Sequence, residues 1–152
     1  SQISSIQKNF DTLYERTTSE AINLHDRCPK MVLGEVYMIA VPEYDDKEVK
    51  NSKIVFKKPN QATVLKYVKS FQAINSRIGT EKNFYKYEKV CLLIVDFSQT
   101  PAKIYNTSDE LKKAGLIPED SITDISELSW ENFVPDLLKV YNDRFASTDI
   151  DN

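Results

Sequence analysis

The sequence predicts an α/β domain, a small mixed β-sheet flanked by helices, and three observations carry that prediction. Residues 31–41 and 90–97 are apolar runs of strand length, rich in β-branched residues, as strands buried on both faces are. Between them, residues 61–77 repeat apolar side chains (Val64, Leu65, Val68, Phe71, Ile74) at helical spacing. A strand, a helix and a second buried strand in succession imply a crossover that sets the two strands side by side in one sheet.

The other elements follow in chain order. Ile3, Ile6, Phe10, Leu13 and Thr17 make a helical stripe that Ala21 and Leu24 continue to Cys28-Pro29. Thr17 with Glu20 has the spacing of a capping box, so a second helix is expected to start there. After the first strand, residues 53–57 (Lys-Ile-Val-Phe-Lys) predict a short hairpin partner, stopped by Pro59-Asn60. In the central helix Lys66, Lys69 and Arg77 are expected to point away from the apolar face. Residues 103–105 extend the sheet after the turn at Thr100-Pro101. Thr107 and Glu110 form a capping box for a short helix closed by Gly115. A brief strand is expected around Ile122. A last helix, residues 130–145 with Ser129 as N-cap, presents Trp130, Phe133, Val134, Leu137, Leu138, Tyr141 and Phe145 on one face. The 152 residues predict one domain, 1–145, and a polar tail, 146–152.

Composition narrows the chemistry. No apolar run approaches the roughly 18–20 residues that span a bilayer, and the first residues lack the basic and apolar regions of a signal peptide. Cys28 and Cys91 lack metal-site spacing and read as free thiols of a reducing, cytoplasmic compartment. His25 is the single histidine. No Gly-rich phosphate loop, nucleophile elbow or HExxH helix occurs. Charge is uneven. Residues 1–46 carry 4 basic and 8 acidic groups, residues 47–90 carry 11 and 3, and residues 91–152 carry 5 and 12. A basic middle between acidic ends points to an anionic partner or to internal pairing.

Gly34-Glu35-Val36-Tyr37-Met38-Ile39 followed by Ile54-Val55-Phe56 resembles the hairpin of resolvase-like members of the PD-(D/E)xK, or restriction-endonuclease-like, nucleases. The resemblance covers about 25 residues. It implies a restriction-endonuclease-like core and Mg²⁺-dependent phosphodiester hydrolysis. Tyr37 stands where that family keeps a metal-binding Asp, and Lys58-Pro59-Asn60 where it keeps Glu-x-Lys.

Hydrolysis of this kind needs carboxylates to hold the cation and a lysine to stabilise charge on phosphate or water. The candidate catalytic residues are therefore Glu35, Asp26 and Lys57. The candidate metal ligands are Glu35, Asp45 and Asp96, with Glu43 and Asp46 beside them. Asp96 ends the most buried strand, where ligands gather in open α/β sheets, and it also has the place to cap a turn through Ser98. Lys58, Lys66, Lys69, Arg77, Lys82 and Lys86, interleaved with Phe56, Tyr67, Phe84, Tyr85 and Tyr87, form the candidate nucleic-acid surface. The functional expectation is a nuclease-like, nucleic-acid-associated domain. Its alternative is a non-catalytic module that docks onto a protein partner, or onto a second copy, through its helices.

Overall fold

The structure, a computed structural model, describes residues 6–146. Ile3 and the end of the tail, residues 147–152, lie outside the described residues.

The apolar stripe of the first segment runs on without a break, so α1 (Ile6–Arg27) is one helix. Thr17 does not open a second one. It faces inward with Ile6, Phe10, Ala21 and His25, and its carbonyl accepts a hydrogen bond from Tyr87 Oη at 2.9 Å. β1 (Gly34–Ala40) follows, then a single turn α2 (Asp46–Val49), and α3 (Gln61–Ala73), whose N-cap Asn60 accepts from Thr63 N. β2 (Lys89–Asp96) and β3 (Lys103–Tyr105) complete the sheet in the order β1-β2-β3. β1 and β2 are parallel and β2 and β3 antiparallel, so the crossover and the mixed sheet are both as expected. α4 (Ser108–Lys113) starts at Thr107, whose hydroxyl accepts from Glu110 N, and Gly115 closes it with a positive φ of 72°. A 3₁₀ turn (Ser126–Leu128) leads to α5 (Trp130–Phe145).

Two further sequence expectations fail locally, and a third holds only in position. Residues 53–57 are not the partner of β1, because β2 takes that place. Pro42 has no N–H with which to continue a ladder, and beyond it the chain folds back only as far as a Tyr44–Phe56 bridge, with Ile54 and Val55 exposed. No strand forms at Ile122, which is fully exposed and packs against nothing that would favour one. Ser129 stands at the cap position of α5, but its hydroxyl makes no capping bond.

Strand alternation divides the core. Tyr37, Ile39 and Val41 of the first strand segment and Val90, Leu92 and Ile94 of β2 face α1 and α3, where Tyr37 stacks with Phe71 and Tyr67 at 5.5 and 6.2 Å. The opposite face carries Gly34, Val36 and Met38, with Lys89, Cys91 and Leu93 beside them in register. α5 lies across this second face and covers one end of it. A Cβ on Gly34 would sit 2.8 Å from Phe133 Cζ and 2.9 Å from Leu137 Cδ2, so glycine here allows the helix to approach. Gly34→Val should cost about 1–3 kcal/mol by overpacking, read as a lower denaturation midpoint. A change under about 0.5 kcal/mol, the size of a neutral surface substitution, would mean that α5 yields freely.

Candidate functional site

The acidic candidates do not converge. Glu43 accepts from the backbone N–H of Ile6, at the start of α1, whereas Asp26 is exposed near its end. Twenty residues of helix at 1.5 Å each put about 30 Å between those two levels, too far for one ion. Asp45 Oδ1 caps α2 by accepting from Lys47 N at 3.0 Å. Lys57 is exposed, and its backbone N–H donates to Glu43 O. Asp96 is buried, and its carboxylate accepts from Ser98 N, Ser98 Oγ, Gln99 Nε2 and Tyr105 Oη. Burial alone would raise its carboxyl; those hydrogen bonds outweigh burial and hold it below the ordinary range. It acts as a turn cap. Among the described residues, no three His, Cys, Asp or Glu side chains are grouped to hold a metal ion. Millimolar Mg²⁺ or Mn²⁺ should therefore leave the melting temperature unchanged. A stabilisation near 2.7 kcal/mol, which ligand at about a hundred times its dissociation constant produces, would show a site.

The basic candidates differ in their surroundings. Lys58, Lys69 and Lys82 are exposed, and Lys66 is paired with Asp11 at 3.4 Å and lies over the Phe10 ring. Lys86 is half-buried near Tyr85. Arg77 is corrected outright. α3 ends at Ala73, the chain turns through Ser76 at φ 62°, and the Arg77 side chain is buried.

Arg77 belongs to a buried network that the sequence did not announce. Its centre is Glu88, which is 2% exposed. Glu88 Oε1 accepts from Arg77 Nη1 at 2.7 Å and from Arg144 Nη1 at 2.9 Å. Oε2 accepts from Leu33 N at 2.9 Å and lies 3.1 Å from His25 Nε2, while His25 Nδ1 lies 2.9 Å from Phe84 O. Both ring nitrogens thus lie within hydrogen-bond distance of an oxygen, so the ring is held at both ends. Arg77 also donates to Pro29 O and Lys82 O, and Arg144 to Lys30 O, Met31 O and Gly79 O. The network ties α1, the loops before β1 and β2, and the end of α5 to one carboxylate. The one signal in the sequence was His25, four residues beyond Ala21 on the inward stripe of α1.

Two glutamates carry opposite pH signs. Burial alone would raise Glu88, but the Leu33 N–H, Arg144, Arg77 and His25 outweigh it and hold its carboxyl below the ordinary 4.5. Its contribution is fully present above the unfolded value and is lost as pH falls through the folded one. Glu35 is pushed up, first by burial and then by Glu20. Its charged form costs stability, which is lost as pH rises through the raised folded value. Glu35→Gln should therefore stabilise the protein at pH 7 and lose that advantage under acid conditions, as urea melts at several pH values would read. Cys91, fully buried, has its thiol pushed up to about 11 by burial, which makes it an inert packing group, while Cys28 is exposed.

The surface feature that does converge is apolar. Trp130, Val134, Leu138 and Tyr141 of α5 are 50%, 46%, 54% and 52% exposed. At about 100° per residue they share one arc, adjoining the arc of Phe133, Leu137 and Val140 that meets the body of the protein. Pro135 lies on the outer side, so the Glu131 carbonyl it cannot bond is open to water. Asp136 pairs with Lys89 on β2, and Leu137 meets Gly34 on β1. Turning the helix in that sense carries Trp130, Tyr141, Val134 and Leu138 past β1, over the side of the sheet where Val36 is 43% exposed. Among the described residues no strand pairs with that side of β1.

Comparison with protein-family models, with curated proteins and with solved structures finds no match to the chain. Among the described residues, no helix is long and apolar enough to cross a membrane.

Proposed function

We propose that the chain is a protein-interaction module that docks a partner against α5 and the free edge of β1. The observation that carries this reading is the arc Trp130–Val134–Leu138–Tyr141, four large apolar side chains about half exposed on a helix otherwise seated on the sheet. Single exposed apolar residues are ordinary, but a contiguous patch rimmed by polar groups marks a docking surface. Glu131 and Asn142 border the arc on its polar side, and tryptophan and tyrosine are the residues most enriched among binding anchors. The Glu88 network supports the reading mechanically, because it clamps the end of α5 through Arg144 and lets the helix present its open arc as a rigid ridge.

A docking ridge and a core surface respond differently to charge. Val134→Glu with Leu138→Glu should shift stability by no more than about 0.5 kcal/mol, the range of surface substitutions. In extracts of the cells that make the protein, the native chain should travel with a larger assembly and the double variant should migrate alone. An unfolded double variant would place the arc in the core, and unchanged migration would place docking elsewhere. Either result removes the reading. Leu137→Ala, in contact with the β1 side of the sheet, should lose about 2–3 kcal/mol, the low end for a buried leucine, while Leu138→Ala should lose almost nothing.

A further inference from the structure

We infer that the partner on this face is a second copy of the chain, joined by antiparallel pairing of β1 with β1 about a two-fold axis near Val36. The inference rests on the docking reading above and names its occupant.

The first support is the backbone. Leu33 O accepts from Glu88 N and Val41 N donates to Val95 O, so the odd-numbered residues of this strand turn their polar groups to β2. The N–H and C=O groups of Gly34, Val36 and Met38 then point outward, since the two edges of a strand alternate with period two. They form a donor and acceptor row of the kind that pairs with an added strand. An antiparallel copy centred on Val36 sets Gly34 opposite Met38 and Val36 opposite itself, and the two three-stranded sheets become one of six.

The second support is the position of α5. Its open arc lies on the β1 side of the sheet, so the rotation that pairs the strands also brings the two arcs together on one face. An isologous interface asks for this, a single patch that meets itself. Strand pairing alone leaves the arc unexplained. An unrelated partner on the arc alone leaves the edge unexplained.

The third support is charge on the opposite face. α1 runs beside β1 with Glu20 within electrostatic reach of Glu35 and Arg16 within reach of Tyr37, and both charged side chains of α1 are exposed. The level midway between Glu35 and Tyr37 is Val36. A two-fold axis there sets Arg16 of one copy toward Glu20 of the other, twice. Within one copy Glu20 and Glu35 repel, with Arg16 one turn before Glu20 on α1; across the axis a second guanidinium approaches both carboxylates.

Sedimentation equilibrium of the full chain, from low to high micromolar concentration, tests the inference. The native chain should pass from monomer to twice that mass. Arg16→Glu alone and Glu20→Arg alone should each weaken association about tenfold or more, because each sets like charges together at two places. Mixing those two variants should restore association, as should combining both changes in one chain. Both positions are exposed, so melting temperatures should stay at the native value; if Arg16→Glu fails to fold, Arg16→Gln and Glu20→Gln remove the attraction without adding repulsion and should each weaken association by a smaller factor. A native chain that stays monomeric throughout overturns the inference. So does a dimer whose two charge variants associate no better mixed than apart. A monomeric native chain that still needs Val134 and Leu138 to join its assembly in extracts rejects the second copy and leaves the docking reading standing. A dimer indifferent to Val134→Glu with Leu138→Glu overturns both.

Discussion

Glu88→Gln should destabilise the protein by about 3–5 kcal/mol at neutral pH, the usual result of removing one partner from a buried ion pair. The size follows from what is left behind. Arg77 is fully buried, Arg144 is nearly so, and His25 is fully buried, and all three converge on this carboxylate. An amide keeps the volume and offers one oxygen for the donors that the carboxylate's two oxygens now satisfy. Two guanidinium groups then lose their counter-charge in a region with little water. Urea melts at pH 7 measure the loss directly. The acid limb supplies an independent check: the native protein should lose stability as pH falls below the ordinary glutamate range, and the variant should show less of that slope. A loss under about 1 kcal/mol with the slope intact would mean that water reaches the network and replaces the carboxylate. Charge reversal at Arg77 should behave like Glu88→Gln rather than like a surface change, since a carboxylate there would face Glu88.

Where periodicity determined direction, the fold was legible. β2 is an unbroken apolar run because it is central and covered on both faces, and α3 buries Val64, Val68 and Phe71 as their spacing requires. Arg77 shows where the rule stops. It was assigned an outward direction by extending the helix to residue 77, but α3 ends at Ala73 and the next four residues carry no helical phase. The failed hairpin has a similar cause. Local alternation at Ile54–Phe56 cannot tell a strand from a loop when the competing partner, β2, lies much further along the chain and pairs over seven residues. α5 gives the most instructive case. Its apolar arc was visible in the sequence, but the share of it that packs was not. How much of an arc is covered depends on how wide the sheet beneath it is, and a sheet of three strands covers about half. The part left uncovered is the candidate docking surface. The Glu88 network was not legible because its members come from positions 25, 77, 88 and 144, and no local pattern joins them.

Phe71→Ala should be the most damaging single truncation on the α3 side of the sheet, with a loss of about 3–5 kcal/mol. Phe71 is fully buried at the centre of an aromatic group, with ring centroids 5.5 Å from Tyr37, 6.2 Å from Tyr67 and 6.5 Å from Tyr14. Those rings join the three elements that define this layer: β1 through Tyr37, α3 through Tyr67 and α1 through Tyr14. Tyr67 Oη donates to Ile6 O at 2.6 Å and Tyr14 Oη to Ser70 O at 3.2 Å, so α1 and α3 are held by hydrogen bonds at ring edges whose faces depend on Phe71. Truncation therefore opens a cavity and also loosens polar contacts that fix the tilt of α1. Phe71→Leu, which keeps most of the volume, should recover more than half of the loss. If the alanine variant instead lost only about 1 kcal/mol, the layer would have collapsed onto the gap, and α1 would have moved relative to β1. Hydrogen exchange distinguishes the two outcomes: a retained cavity leaves protection along α1 uniform, while collapse lowers it first at the Tyr14 turn. The distinction reaches the proposed interface, because Arg16 and Glu20 lie on the same helix. A displaced α1 would carry that charge pair off the level of Val36, so a collapsed variant should associate more weakly than one that keeps its cavity.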